Sequence, residues 1–297
     1  MIHTLSDLLS PCSDESFLQD HFEQSVLLVN RSDSNFFHGF PLFDDVSVLL
    51  EKAVSPVAYT VVLEDDKGEL SPERYIQSRS LPGHLKYKYG VDIDALFRLY
   101  TEGSANVMIR GIHQQFAGID ALQRALSDAF NCTCETQLWL SAEGAVATCP
   151  VYDTAQLFFL QLAGTRRWKI YRGPVDHPLS VQANQPFRMD ELSLESECTT
   201  GPGDTLYIPA GFVYTSVAIN EQSVFVKARF TPVNYLRLVL DVLKDIGLTT
   251  AAFRKTVFMS QQDSEAQEAI EQLSAVLDDR LTFEAITDAF MRRRAAK

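Results

Sequence analysis

Between residues 137 and 230 the chain packs apolar strand-like segments so closely that little besides a layered β-structure accommodates them. Four follow one another with only turn residues between, at 137–141, 145–149, 157–162 and 167–171, and two more lie at 205–208 and 223–230. Short strands at this spacing, punctuated by Gly and Pro, predict a β-sandwich or jelly-roll barrel. Ahead of them Ile119, Leu122, Leu126, Ala129 and Phe130 recur at helical spacing, with Asn131 as a stop. After residue 231 the pattern turns helical, with Leu236, Val239, Leu240, Leu243 and Ile246 on one face. The reading is mainly β with helices. A barrel domain spans 1–231, with an acidic α/β flank over about 1–70 and a core over about 100–231, and a helical appendix spans 232–297.

Charge bears on partners. The 297 residues carry a formal charge of −13, and the acid is concentrated: residues 1–70 hold 13 Asp and Glu against 3 Lys and Arg, while 71–231 hold 16 against 14. A nucleic-acid binder needs a cationic face, so that class is excluded. The acidic segment suits either a basic protein partner or simple solubility. No apolar run reaches the ~18 residues of a membrane helix. The opening MIHTLSDLLSPCSDESF has acids where a secretory signal would be basic, so a cytoplasmic location is expected. The five cysteines form no C-x-x-C pair, which argues against a zinc knuckle and a disulfide framework.

The most specific string is Gly203-Asp-Thr-Leu-Tyr-Ile-Pro209-Ala-Gly211-Phe-Val-Tyr214. Its Gly, Pro and Gly resemble the second motif of the cupin superfamily, in which a metal-binding His stands where this chain has Tyr214. Upstream, Val151-Tyr-Asp153 followed by Gly164-Thr-Arg-Arg-Trp168 resembles the stretch of JmjC-type oxygenases that begins His-x-Asp. Residues 17–36 and 102–113 also resemble that family, most nearly its ribosomal-oxygenase, or cupin 4, branch. The resemblance implies a double-stranded β-helix, Fe(II) held by His-x-Asp and a later His, 2-oxoglutarate as cosubstrate, and dimerisation through helices after the barrel. Here Val151 and Tyr214 replace both histidines, and Asp153 alone keeps a ligand position.

The resemblance places the anchor for the distal carboxylate of 2-oxoglutarate at Arg166, with Thr148 as a hydroxyl beside it. A solvated charge at a strand start is the competing reading of Arg166, and a plain β-former that of Thr148. Strand alternation puts Cys149, Val151 and Asp153 on one face, so a thiol, carboxylate and Tyr214 phenol set is a candidate replacement donor group. Cys149 reads equally as a small buried hydrophobe. His113 lies where the family often has a His without a metal role, and reads as structural. In the last strand Phe225, Lys227 and Arg229 share one face, and Val224, Val226, Ala228 and Phe230 the other. If the first face is internal, Lys227 or Arg229 pairs with Asp153 as a substitute for the metal; if it is external, both are surface charges, the commoner arrangement beside a wholly apolar face.

Two functions follow from these positions. One is a pseudo-oxygenase that keeps the fold but neither iron nor cofactor, and acts as a binding or scaffold protein, dimeric through its C-terminal helices. The other is an active non-haem oxygenase of peptides or small metabolites with altered ligands, using Fe(II) and 2-oxoglutarate.

Overall fold

Among the described residues, alternating apolar side chains build one antiparallel sheet of ten strands and a separate two-stranded ribbon. The computed structural model describes residues 2–52, 61–65, 67–80, 86–102, 105–256 and 263–295; the side chains of 49–52, 78–80, 86–89, 146–149, 220, 263–266, 268 and 269 lie outside that description. The strands are β1 (Leu27–Val29), β2 (Val61–Asp65), β3 (Gly68–Glu69), β4 (Ile76–Ser80), β5 (Lys86–Val91), β6 (Asn106–Arg110), β7 (Cys134–Ser141), β8 (Val146–Tyr152), β9 (Gln156–Tyr171), β10 (Leu194–Thr200), β11 (Thr205–Ile208) and β12 (Val213–Phe230). β4 and β5 form the ribbon.

The segments expected at 157–162 and 167–171 are one strand, β9, and the segment at 223–230 is the second half of β12. Both long strands serve two faces. Residues 156–160 of β9 pair with β11 and with 226–230 of β12, whose second half also pairs with β7. Residues 165–171 of β9 pair with β10 and with 213–219 of β12, which in turn pairs with β8. β9 turns from one face to the other at Gly164. Its φ is +68°, and a Cβ there would lie 2.1 Å from the Gln222 carbonyl oxygen. The result is the expected jelly-roll layout, open rather than closed into a barrel.

Two cores follow from strand alternation. The outer one joins the sheet to helix α1 (Leu5–Leu9) and to a helix over Ala117–Phe130, through Leu122, Leu126, Leu138, Phe158, Val226 and Phe230. That helix ends as the sequence indicates, with Asn131 in the left-handed region at φ 47°. The inner core, between the two faces, gathers Trp139, Phe159, Trp168, Tyr214 and Phe225. The acidic first 70 residues are more than a flank: β1 pairs with β11, and β2 with β6. Arg31 secures this segment, donating to the Gly203 carbonyl (2.8 Å) and Thr205 Oγ1 (2.9 Å). Gly203 itself has φ +93°, and a Cβ would sit 2.3 Å from the Asp33 carbonyl, which explains the glycine of the motif.

The chain divides into two compact units, Met1–Thr231 and Pro232–Lys297. The second has its own small core, in which Val242, Ile246 and Ala289 pack with Phe253, Leu277 and Ile286. Its first helix, Tyr235–Thr249, is capped by Asn234, whose side chain accepts from Arg237 N (2.9 Å). The buried stripe of this helix is Leu238, Val242 and Ile246; of the apolar face expected from the sequence, only Ile246 is buried, and Leu236 and Leu240 are exposed. Among the described residues no helix is long and apolar enough to cross a membrane. Cys12, Cys134 and Cys198 are free thiols.

Candidate functional site

Between the two sheet faces lies a cavity of about 420 Å³, walled by Trp139, Phe159, Trp168 and Phe225 and carrying Glu64, Arg110, Val151, Tyr214 and Lys227 on its lining. Val151 and Tyr214 stand directly opposite each other across β8 and β12. Asp153 follows the end of β8, its carbonyl accepting from Gly211 N (2.8 Å) and its Oδ1 from Ala155 N (3.0 Å).

Lys227 enters this space from the second half of β12. Of the two orientations open for that strand, the structure has the internal one: Lys227 is 8% exposed. The reason is cover on both sides. Val224, Val226, Ala228 and Phe230 are claimed by the outer core, where the Phe230 ring lies 4.6 Å from that of Phe130, so the mixed face turns inward. Lys227 Nζ donates to Asp153 Oδ2 (3.2 Å) and to the Tyr214 hydroxyl (2.9 Å). Arg229 Nε donates to Asp153 Oδ1 (3.1 Å) from a more exposed position. The carboxylate, 12% exposed, thus has two cations. Burial works to lower the Lys227 pKa, but Tyr214 and Asp153 more than offset it, so the ammonium is held above its ordinary value. Burial pushes the Tyr214 phenol up, against the pull of Lys227.

Arg166 is fully buried, which removes its reading as a solvated charge. Its Nε donates to Ser216 Oγ (2.9 Å) and its Nη1 to Ser141 Oγ (2.9 Å), and its guanidinium carbon lies 4.6 Å over the Phe225 ring. Nη2 has no hydrogen-bond partner, and among the described residues no carboxylate pairs with this cation. Burial pulls its pKa down to about 9. The side chains of Thr148 and Cys149 lie outside the described residues. His113 lines a second cavity of about 540 Å³ that shares Arg110 and Gln137 with the first and includes Arg229.

The residues at the family's ligand positions do not fit Fe(II). Valine offers no lone pair, the Tyr214 oxygen accepts the Lys227 ammonium, and the Asp153 carboxylate already meets two cations. An ammonium within hydrogen-bond reach of both candidate oxygens repels a divalent ion.

Sequence reasoning missed Glu64. It sits in the acidic stretch, where charge reads as solvated surface, yet β2 carries it into the cavity. Its carboxyl makes no hydrogen bond or ion pair among the described residues. Burial pushes its pKa up and Glu69 adds to the rise, against Lys227 and Arg110. Val61, Leu63 and Glu64 are all buried, so this strand is covered on both faces.

Residues 111–238 match the family model of the JmjC domain. The bifunctional lysine-specific demethylase and histidyl-hydroxylase NO66 of Dictyostelium discoideum is 26% identical over 222 residues, covering 72% of this chain and 40% of that protein. Ribosomal oxygenase 1 of Danio rerio is 25% identical over 212 residues, 70% of this chain and 36% of that protein. The chain therefore spans well under half the length of these curated relatives. Among solved structures, E. coli YcfD superposes with a TM-score of 0.56 at 16% identity, covering 94% of this chain and 71% of that one. The same ribosomal oxygenase in complex with cobalt and 2-oxoglutarate also gives 0.56 at 16% identity, over 96% and 71%. With the motif glycines and the jelly-roll layout, residues 111–238 match the JmjC domain, and the chain is similar in sequence to NO66 and ribosomal oxygenase 1 over about 70% of its length.

Proposed function

We propose that this JmjC-fold protein is a pseudo-oxygenase, a binding or scaffold protein that has kept the cavity of an oxygenase and given up its metal chemistry. The observation that carries the reading is the position of Lys227 Nζ, within hydrogen-bond distance of both Asp153 and Tyr214. A lysine supplies positive charge but neither coordination sites nor redox states, so oxygen activation has no seat there. Arg166, buried with an unpartnered Nη2, supports a retained anchor for an anionic group, since a guanidinium fork suits a carboxylate. The exposed Tyr235, Leu236, Leu240 and Leu248 of the first C-terminal helix support self-association, and the acidic N-terminal segment supports a basic protein partner.

The test is metal content and turnover. Protein reconstituted with Fe(II) is expected to retain no stoichiometric iron and to form no succinate from 2-oxoglutarate. Iron-dependent succinate formation above an Asp153→Ala control overturns the reading in favour of an active oxygenase with altered ligands.

A further inference from the structure

The cavity between the two sheet faces holds three polar groups whose hydrogen-bonding capacity the fold does not use up. Its cations are answered: Arg110 meets Glu69 at 3.5 Å, and Lys227 meets Asp153 at 3.2 Å. A ligand therefore needs no charge, and walls of Met108, Trp139, Phe159, Trp168 and Phe225 around about 420 Å³ suit an uncharged ring compound. The Tyr214 oxygen accepts from Lys227, so its own O–H remains to donate, and it meets no acceptor among the described residues. Lys227 spends two of its three N–H bonds, on Asp153 and Tyr214, and the third is idle as well. Two idle donors on neighbouring atoms, in a buried site that Asp153 holds in place, make a seat for an oxygen that gains negative charge.

Glu64 completes the set. β2 carries it to the same cavity, and its carboxyl, without a hydrogen bond or ion pair among the described residues, is available to take a proton. The titratable groups around it are Tyr75 ahead of β4, Glu69 on β3, Arg110 on β6, and Lys227 and Tyr214 on β12. Burial and Glu69 push its pKa up, in the direction that makes a carboxylate a better general base. We propose that the cavity catalyses the metal-free enolisation of uncharged ketones, with Glu64 as the base and with the Tyr214 O–H and the third Lys227 N–H as donors to the enolate oxygen. The Glu64 carboxylate takes a proton from the carbon beside the carbonyl, the C–H electron pair becomes the C=C bond, and the carbonyl π pair moves onto oxygen. Glu64 then returns the proton to the same carbon or, in a β,γ-unsaturated ketone, to the γ carbon, so the product is the starting ketone or its conjugated isomer. Neither an oxidant nor a cofactor is consumed. The inference goes beyond the pseudo-oxygenase reading, whose binding cavity it makes catalytic.

Proton NMR of phenylacetone and β-tetralone in heavy water, with the full chain in excess chelator, tests it through the replacement of the protons beside the carbonyl by deuterium. Exchange of at least one ketone is expected to exceed the buffer rate and to rise with pH through the folded value of Glu64, because the base acts as its carboxylate. Glu64→Gln, which keeps the shape but cannot take the proton, should lose about a hundredfold or more of the protein-dependent rate. Tyr214→Phe should lower kcat by about a hundredfold with KM little changed, the loss of one donor to the enolate oxygen. Exchange as fast in Glu64→Gln or in a folded Tyr214→Phe as in the parent overturns the assignment. If Tyr214→Phe does not fold, the parent pH profile and Glu64→Gln decide. Rates equal to buffer for both ketones, with chelator and with Fe(II), overturn this inference and leave the pseudo-oxygenase reading standing. Exchange seen only on adding Fe(II) overturns both.

Discussion

Replacing Asp153 by Asn removes the charge that holds Lys227 in place. The ammonium then keeps only neutral acceptors, the Tyr214 hydroxyl and the remaining side-chain carbonyl at position 153, at 8% exposure, while Arg229 is exposed enough to turn to water. Breaking a buried ion pair from one side costs about 3–5 kcal/mol. An upper bound comes from the lysine itself: from its ordinary value of 10.5 it can shed its proton at pH 7 for about 5 kcal/mol, so the loss cannot exceed that. Lys227→Met is milder, about 1–3 kcal/mol, because Arg229 still serves Asp153. The double variant removes both charges together and should be more stable than Asp153→Asn alone, giving a coupling of about 2 kcal/mol in a double-mutant cycle. Urea unfolding of the four proteins at pH 7, with equal m-values as the check on two-state behaviour, measures it. Additivity within about 0.5 kcal/mol refutes the claim that Lys227 is the principal partner of Asp153. A large rise in stability of the parent protein on adding Fe(II) refutes the assignment of a lysine in place of a metal.

Glu64→Gln should be more stable than the parent at pH 7 and indistinguishable from it at pH 4. The folded chain holds the Glu64 proton to higher pH than the unfolded chain, whose value is near 4.5, so the contribution is complete below 4.5 and is lost as pH rises through the folded value. Thermal melts at the two pH values check the sign; a variant equally stable at both refutes the burial of Glu64. Arg166→Met should leave the melting temperature unchanged or raised, since it removes a buried cation that has no counter-ion among the described residues. A fall of more than about 5 °C would make Arg166 structural. Val151→His with Tyr214→His and Lys227→Ala should bind Co(II) stoichiometrically, seen by visible absorption, where the parent does not; equal binding by the parent refutes the account of the site.

Much of the fold was legible because it rests on local regularities: the strand density after residue 134, the helix ended by Asn131, and the Gly203, Pro209 and Gly211 string. What escaped depends on contacts far apart in sequence. Gly164 reads as a break between two strands, but its positive φ bends one continuous strand across two sheet faces. The direction of Lys227 was undecidable from alternation alone, because both faces of β12 are covered and the periodicity of 2 says only that its two sides differ. Leu236 and Leu240 carry the hydrophobicity of a core face yet lie one step off the buried stripe of Leu238, Val242 and Ile246. Glu64 was hidden by the company of Asp65, Asp66 and Glu69, though in the fold it is buried and Asp65 is not.

The survival of one ligand position out of three invites a reading of Asp153 as the remnant of a metal site, but the electrostatics give it a present task. A lysine driven into the jelly roll by the cover on its strand needs an anion, and Asp153 is the carboxylate within reach. Val151 and Tyr214 are consistent with the same demand: a neutral side chain where an imidazole would compete for the carboxylate, and a hydroxyl where the ammonium needs a second acceptor. The four residues therefore form one self-consistent set in which every charge has a partner, rather than a metal site with parts missing. What the set does not neutralise is Arg166, and a buried guanidinium with an idle N–H group is the place where such a structure still has a reason to bind something.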